Sequence, residues 1–156
     1  MSKPVYVLLI CIAFANAQKA TSGVPQQEAQ QMSTASMYYH AMQDPEKAIP
    51  IWVYLSEYAT DPDIKAGASM ELARHYFSQK QFAKTLTCCE TVYTTLPQCQ
   101  FADDALFLYA LVLWREKRYN ECRRKLSDLI SVYGGSSNPL HHDRIEAAKS
   151  LMDKIP

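Results

Sequence analysis

At 156 residues, with 48% apolar and 21% charged side chains, the chain has the composition of an ordinary globular domain and the length for one core or one short array. Sixteen Lys and Arg balance sixteen Asp and Glu. A net charge of zero gives no long-range attraction for nucleic acid or an anionic membrane, so both fall away as partner classes.

The first residues read as an export signal. Lys3 supplies a positive start, Val5 to Phe14 an apolar stretch, and Ala15-Asn16-Ala17 a small-x-small cleavage site, so residues 1–17 are expected to be removed and the mature chain to begin at Gln18. About ten apolar residues are too few to span a bilayer, which needs roughly 20. The competing reading is a cytosolic protein with a greasy N-terminus. Lipid attachment at Cys11 is not expected, because the bulky Ile10 before it does not suit a site resembling the bacterial lipobox. From Gln18 to Ser33 the chain is dominated by Gln, Ser, Thr, Gly and Pro, with little apolar surface to offset its ordering entropy, which predicts a flexible leader over 18–33.

From residue 34 the pattern becomes helical. Met37, Tyr38 and Ala41 have helical spacing within Ala35 to Met42, and Asp44-Pro45-Glu46 marks a turn whose proline suits the first position of the next helix, expected from Ala48 to Tyr58. Pro50 falls near the first turn of that helix, where a missing amide is tolerated. After Asp61-Pro62-Asp63, a helix is predicted from Ile64 to Phe77, a turn over Ser78 to Gln81, and a returning helix from Phe82 to Thr95 that Pro97 stops. A third pair runs from Phe101 to Arg115 and from Tyr119 to Tyr133, around a turn at Glu116 to Arg118. Asp103 and Asp104 stand where a helix dipole favours negative charge. Gly134-Gly135-Ser136-Ser137 breaks the chain, and Asn138 with Pro139 begins a last helix, 139–155, with one apolar and one polar side.

The pairs superpose at a constant step. Ala48, Thr85 and Cys122 are 37 residues apart, as are Trp52, Cys89 and Leu126, then Leu55, Val92 and Leu129, then Tyr39, Tyr76 and Leu113. Such a period predicts stacked helical hairpins, with repeats over about 35–62, 64–97 and 101–134, each burying its neighbour's face.

These residues resemble the tetratricopeptide repeat. Leu72, Ala73, Tyr76, Thr85, Cys89, Val92 and Pro97 follow the family's order of large, small, large, small, large, aliphatic and proline, and Tyr109, Ala110, Leu113, Cys122, Leu126 and Leu129 do so again. The resemblance covers about residues 35 to 134. It departs where Thr85 and Cys122 replace alanine, where Ala73 and Ala110 replace glycine, and where Gly134 replaces proline. Ala73-Arg74-His75-Tyr76-Phe77 and Phe101-Ala102-Asp103-Asp104-Ala105-Leu106-Phe107 are similar to repeats of bacterial envelope proteins, of the kind found in the coordinator of the Tol-Pal system and in the outer-membrane assembly lipoprotein. The coordinator's N-terminal coiled coil is missing here. The resemblance implies an all-α, TPR-like solenoid of about three repeats with a C-terminal capping helix, in which Ala48, Trp52, Ala73, Tyr76, Thr85, Cys89, Ala110, Cys122 and Leu126 are packing residues.

Removal of the signal leaves Cys88, Cys89, Cys99 and Cys122, which serve either as small buried thiols or, in one bridge, as Cys99 joined to Cys88 or Cys89. His141-His142-Asp143 is the one cluster with metal-ligand chemistry, but adjacent helical positions point about 100° apart, so no metal and no cofactor is expected. No phosphate loop, nucleophile elbow or Cys-x-x-Cys occurs, and the chain is not expected to be an enzyme. Ten tyrosines exceed the needs of a small core, and tyrosine is favoured at interfaces. Tyr38, His75, Phe77 and Leu108 are the candidate contacts of a concave groove. Arg118, Arg123 and Arg124, beside Lys117 and Lys125, form either a solvated basic face or a clamp for a partner's carboxylate. The expectation is a periplasmic, non-catalytic adaptor that binds a protein partner, with a structural subunit of an envelope secretion, pilus or assembly complex as the alternative.

Overall fold

The computed structural model describes residues 23–136 and 139–156. The expected export signal, Cys11, residues 18–22, Ser137 and Asn138 lie outside them. The described chain is all helical and has no strand. Helix α1 spans residues 23–36 and passes into a π-helical turn, Met37–Ala41. It is followed by α2 (Pro45–Tyr58), α3 (Pro62–Ser78), α4 (Phe82–Thr95), α5 (Ala102–Arg115), α6 (Tyr119–Tyr133) and α7 (Pro139–Met152).

Two Asp-Pro pairs start helices for the same reason. The Asp44 carboxylate accepts from the Lys47 amide at 3.3 Å, and the Asp61 carboxylate accepts from the Asp63 and Ile64 amides at 2.9 and 3.1 Å. Each leaves a proline at the first helical position, where no amide is needed. Helix α3 therefore begins at Pro62, two residues ahead of the expected Ile64. Pro50 lies deeper in α2 than expected. It is exposed, so water can donate the hydrogen bond to the Glu46 carbonyl that its missing N–H leaves open.

The hairpin turns repeat more faithfully than the residues in them. Gln43, Lys80 and Lys117 adopt left-handed backbone at φ 53°, 57° and 61°, one 37-residue step apart. The next amide closes each turn onto the preceding helix: Asp44 donates to the Tyr38 carbonyl at 2.9 Å, Gln81 to Tyr76 at 2.8 Å and Arg118 to Leu113 at 2.9 Å. This wide closing bond satisfies carbonyls that a helix end leaves open. In the first turn Tyr38 accepts where the 37-residue step would place Tyr39, because the π-helical turn adds one residue ahead of Gln43.

Consecutive helices pack side by side. Among alternate helices, α3 touches α5 and α5 touches α7, whereas α2 does not reach α4, nor α4 α6. The odd-numbered helices thus form the closer, inner row. The core is divided to match. Ala35, Ala48, Trp52, Leu55, Ala59, Ala68 and Leu72 fill the space between α1, α2 and α3. Ala66, Met70, Ala73, Cys89, Val92 and Ala105 fill that between α3, α4 and α5. Leu106, Ala110, Leu113, Cys122, Leu126, Leu129, Ile145, Ala148, Leu151 and Ile155 fill the last. Ala48, Thr85 and Cys122 are all fully buried, as are Trp52, Cys89 and Leu126. Small side chains alternate with large ones, so backbones approach without voids. Tyr76 is half-buried, with Lys84 Nζ 5.0 Å from its ring centre.

The expected flexible leader is corrected over residues 23–33, which are helical. Glu28, Met32 and Ala35 recur at helical spacing on the inner side of α1. Glu28 is buried and caps α3 from a distance: its carboxylate accepts from the Thr60 amide at 2.8 Å, the Asp61 amide at 3.2 Å and the Thr60 hydroxyl at 3.1 Å. These bonds, the Thr60 amide first, hold the Glu28 pKa below the usual carboxylate range against the opposing effect of burial. Met32 meets Phe101 over Gly67, where a Cβ would come within 3.2 Å of the Phe101 ring.

Candidate partner-binding surface

The inner row carries a series of polar contacts, with ion pairs at its centre, that crosses four helices. His40 Nε2 lies 3.5 Å from Glu71, Glu71 accepts from Arg74 Nη1 at 2.7 Å, and Arg74 Nη2 donates to Asp104 at 3.2 Å. Arg144 of α7 closes the series by donating through Nε to the other oxygen of Asp104. The residues belong to different hairpins, and each partly exposed ion pair is worth at most about 1 kcal/mol. Their joint effect is to fix the lateral spacing of the odd helices. Beside them on α5, Phe107, Leu111 and Trp114 make a half-buried apolar stripe. The guanidinium of Arg144 lies 5.6 Å from the Phe107 ring centre, and that of Arg115 lies 5.6 Å from that of Trp114.

The seven sequence-predicted contact residues do not converge. Tyr38 turns toward α2, with Lys47 Nζ 5.5 Å from its ring centre. His75 Nδ1 meets the Tyr39 hydroxyl at 3.1 Å, in a cleft it shares with His40, Gln43, Pro45 and Gln79. That places His75 beside the end of the charge series. Phe77 stacks on Phe82 at 5.8 Å, and Leu108 packs into the interface of α3 with α5. Arg118 is spent locally on Glu121, 2.8 Å, and Glu116, 3.1 Å, which raises its own pKa and lowers that of Glu121. Arg123 donates to the carbonyls of Ile155 and Pro156 at 3.2 and 2.7 Å, holding the segment after α7. Arg124 lines an open cleft with Tyr109, Glu121, Lys125 and Asp128. The three arginines therefore do not form one clamp. Arg74, Asp104 and Arg144 are 30 and 40 residues apart, off the 37-residue step, so the repeat register gave no signal for their pairing.

The outer faces of the second helices differ at matching positions. On α2, Pro50, Val53, Tyr54 and Tyr58 are exposed, Tyr54 at 52% and Tyr58 at 65%, and the two tyrosine rings lie 5.3 Å apart. One step on, α4 presents Thr87, Glu90, Thr91 and Thr95, each threonine hydroxyl donating to the carbonyl four residues back. Another step on, α6 presents Arg124, Ser127, Asp128 and Val132.

Cys88, Cys89, Cys99 and Cys122 are all free thiols. The bridge from Cys99 is not formed. Burial pushes each thiol pKa up, so none is primed as a thiolate nucleophile, and Cys122 Sγ instead donates to the Ala110 carbonyl at 3.2 Å. His141 Nδ1 meets the buried Asp103 carboxylate at 2.9 Å, which ties α7 to α5, while His142 and Asp143 are exposed. Among the described residues no group of three or more His, Cys, Asp or Glu side chains could hold a metal ion. No helix among them is long and apolar enough to cross a membrane. No family model, no curated protein and no solved structure matches this chain.

Proposed function

We propose that the chain is a TPR-like helical-hairpin solenoid of about three repeats with α7 as its cap, exported to the periplasm by cleavage after Ala17. It acts as a non-catalytic scaffold or adaptor of the cell envelope. A partner peptide or helix lies along the inner row, where the α5 stripe supplies apolar contact and the flanking charges fix its placement. The observation that carries this reading is the recurrence of one hairpin at a 37-residue step, from the left-handed Gln43, Lys80 and Lys117 to the buried Ala48, Thr85 and Cys122. An array of this kind offers an extended surface rather than a closed pocket, and extended surfaces suit protein partners. The polar side chains along that surface are engaged in pairs that set helix spacing, which suits a scaffold better than a reaction centre.

The test is capture from an envelope fraction with the chain beginning at Gln18. Recovery of a specific envelope protein, lost on Leu111→Asp, supports the adaptor. Recovery of cytosolic chaperones alone contradicts it. The exposed tyrosines of α2 favour one second reading, a structural subunit whose outer faces are covered by neighbours. Mass measurement in solution separates the two: a monomer that takes up one partner supports the adaptor, and closed oligomers that form unaided support the subunit.

A further inference from the structure

The chain has no net charge, yet the charges left outside ion pairs among the described residues differ between the two ends of α5. At the N-terminal end, Asp104 and the exposed Asp143 line a cleft of about 340 Å³ with Phe101 and Arg144. Arg144 and Arg74 both pair with Asp104, and no ion pair among the described residues holds Asp143. At the C-terminal end stand Arg115 and Lys117, both exposed and neither in an ion pair among the described residues. Lys80 of the neighbouring turn is exposed there too. Between the two ends runs the apolar stripe of Phe107, Leu111 and Trp114. From Asp104 to Arg115 is eleven residues, or about 16 Å of helix.

Resting on the inner-row reading above, we infer that the partner segment is an amphipathic helix of about three turns, docked antiparallel to α5, acidic in its first turn and basic in its last. Its apolar side covers the α5 stripe. Its acidic turn meets Arg115 and Lys117, and its basic turn meets Asp143. This direction also sets the partner's helix dipole against that of α5. The acidic first turn and basic last turn stabilise the partner's own helix, so the segment comes pre-organised.

Two synthetic helical peptides of one composition test this. Both carry the same apolar side; one has Glu in its first turn and Lys in its last, and the other has the two exchanged. The first is expected to bind the full chain about tenfold tighter, because each end changes from attraction to repulsion. The difference should vanish at about 1 M salt, where the screening length is about 3 Å. The double variant Arg115→Glu, Lys117→Glu should reverse the preference, with its helical circular dichroism confirming that it folds. Equal binding of both peptides, lost on Leu111→Asp, would overturn the charge polarity while leaving the inner row a docking surface. Binding of neither at about 1 mM, the weak limit of specific recognition, would overturn both.

Discussion

The first hairpin, α1 with α2, and the third, α5 with α6, have matching interiors and opposite exteriors. Inside, Ala48 matches Cys122 and Trp52 matches Leu126, all fully buried. Outside, α2 shows Tyr54 where α6 shows Asp128, Pro50 where α6 shows Arg124, and Tyr58 where α6 shows Val132. The step that builds the array constrains only the side chains that neighbouring hairpins bury. What faces solvent is free to differ from unit to unit.

The largest expected effect breaks the interior match. Leu126→Ala should cost about 3 kcal/mol in urea unfolding, because it opens a cavity among Leu113, Leu129 and Ile145. At the matching site Trp52→Phe should cost no more than about 1.5 kcal/mol, since the indole N–H is buried without a partner and its removal offsets part of the lost packing. Equal losses at the two sites would mean that the orphan N–H carries no penalty.

The second effect sits in the first hairpin alone. Glu28→Ala should cost about 2 kcal/mol, as it leaves the Thr60 and Asp61 amides without an acceptor. The folded-state pKa of Glu28 is lowered, so its contribution is fully present above the ordinary glutamate pKa and is lost as pH falls through the lowered value. Stability measured from neutral pH downward should therefore drop more steeply below about pH 4.5 in the native chain than in Glu28→Gln. Parallel curves would show that the cap does not hold in solution.

Helix ends provide a third contrast. α2 closes on Ala59, whereas α6 closes on Gly134, where a Cβ would stand 2.3 Å from the Ile130 carbonyl oxygen. Gly134→Ala should lose about 1 kcal/mol or more, with the backbone forced to shift. In the opposite direction, Lys80→Gly and Lys117→Gly should each gain about 0.5 kcal/mol, since glycine accepts left-handed backbone without a Cβ penalty. The smallest effect is expected on the outer face. Tyr54→Ser with Tyr58→Ser should change stability by less than about 0.5 kcal/mol. A fall in oligomer mass in the same variant would favour the structural-subunit reading.

The apolar periodicity of 48–58, 64–95 and 101–133 made five helices legible in the sequence, together with the buried triads that align at the common step. Helix α1 was not legible because its inward positions are a glutamate, a methionine and an alanine, and the glutamate's value lies in a bond to another helix. The left-handed turn position was present as Gln43, Lys80 and Lys117, but none is glycine, so residue type gave no signal. Candidate contacts were harder still. Tyr38, Phe77 and Leu108 are half-apolar positions that helical spacing alone cannot assign to a groove or an interface. Apart from Glu71 with Arg74, the series from His40 to Arg144 joins residues 30 to 40 apart whose pairing depends on how hairpins stack.

The most direct test is residue-resolved hydrogen exchange at the amides of Asp44, Gln81 and Arg118. All three lie in solvent-facing turns, where the closing bond to Tyr38, Tyr76 or Leu113 is their hydrogen-bonded partner. One hairpin repeated three times predicts protection of about a hundredfold or more at each, similar across the set. Exchange at the unfolded rate at any one of them, with the others protected, would contradict it.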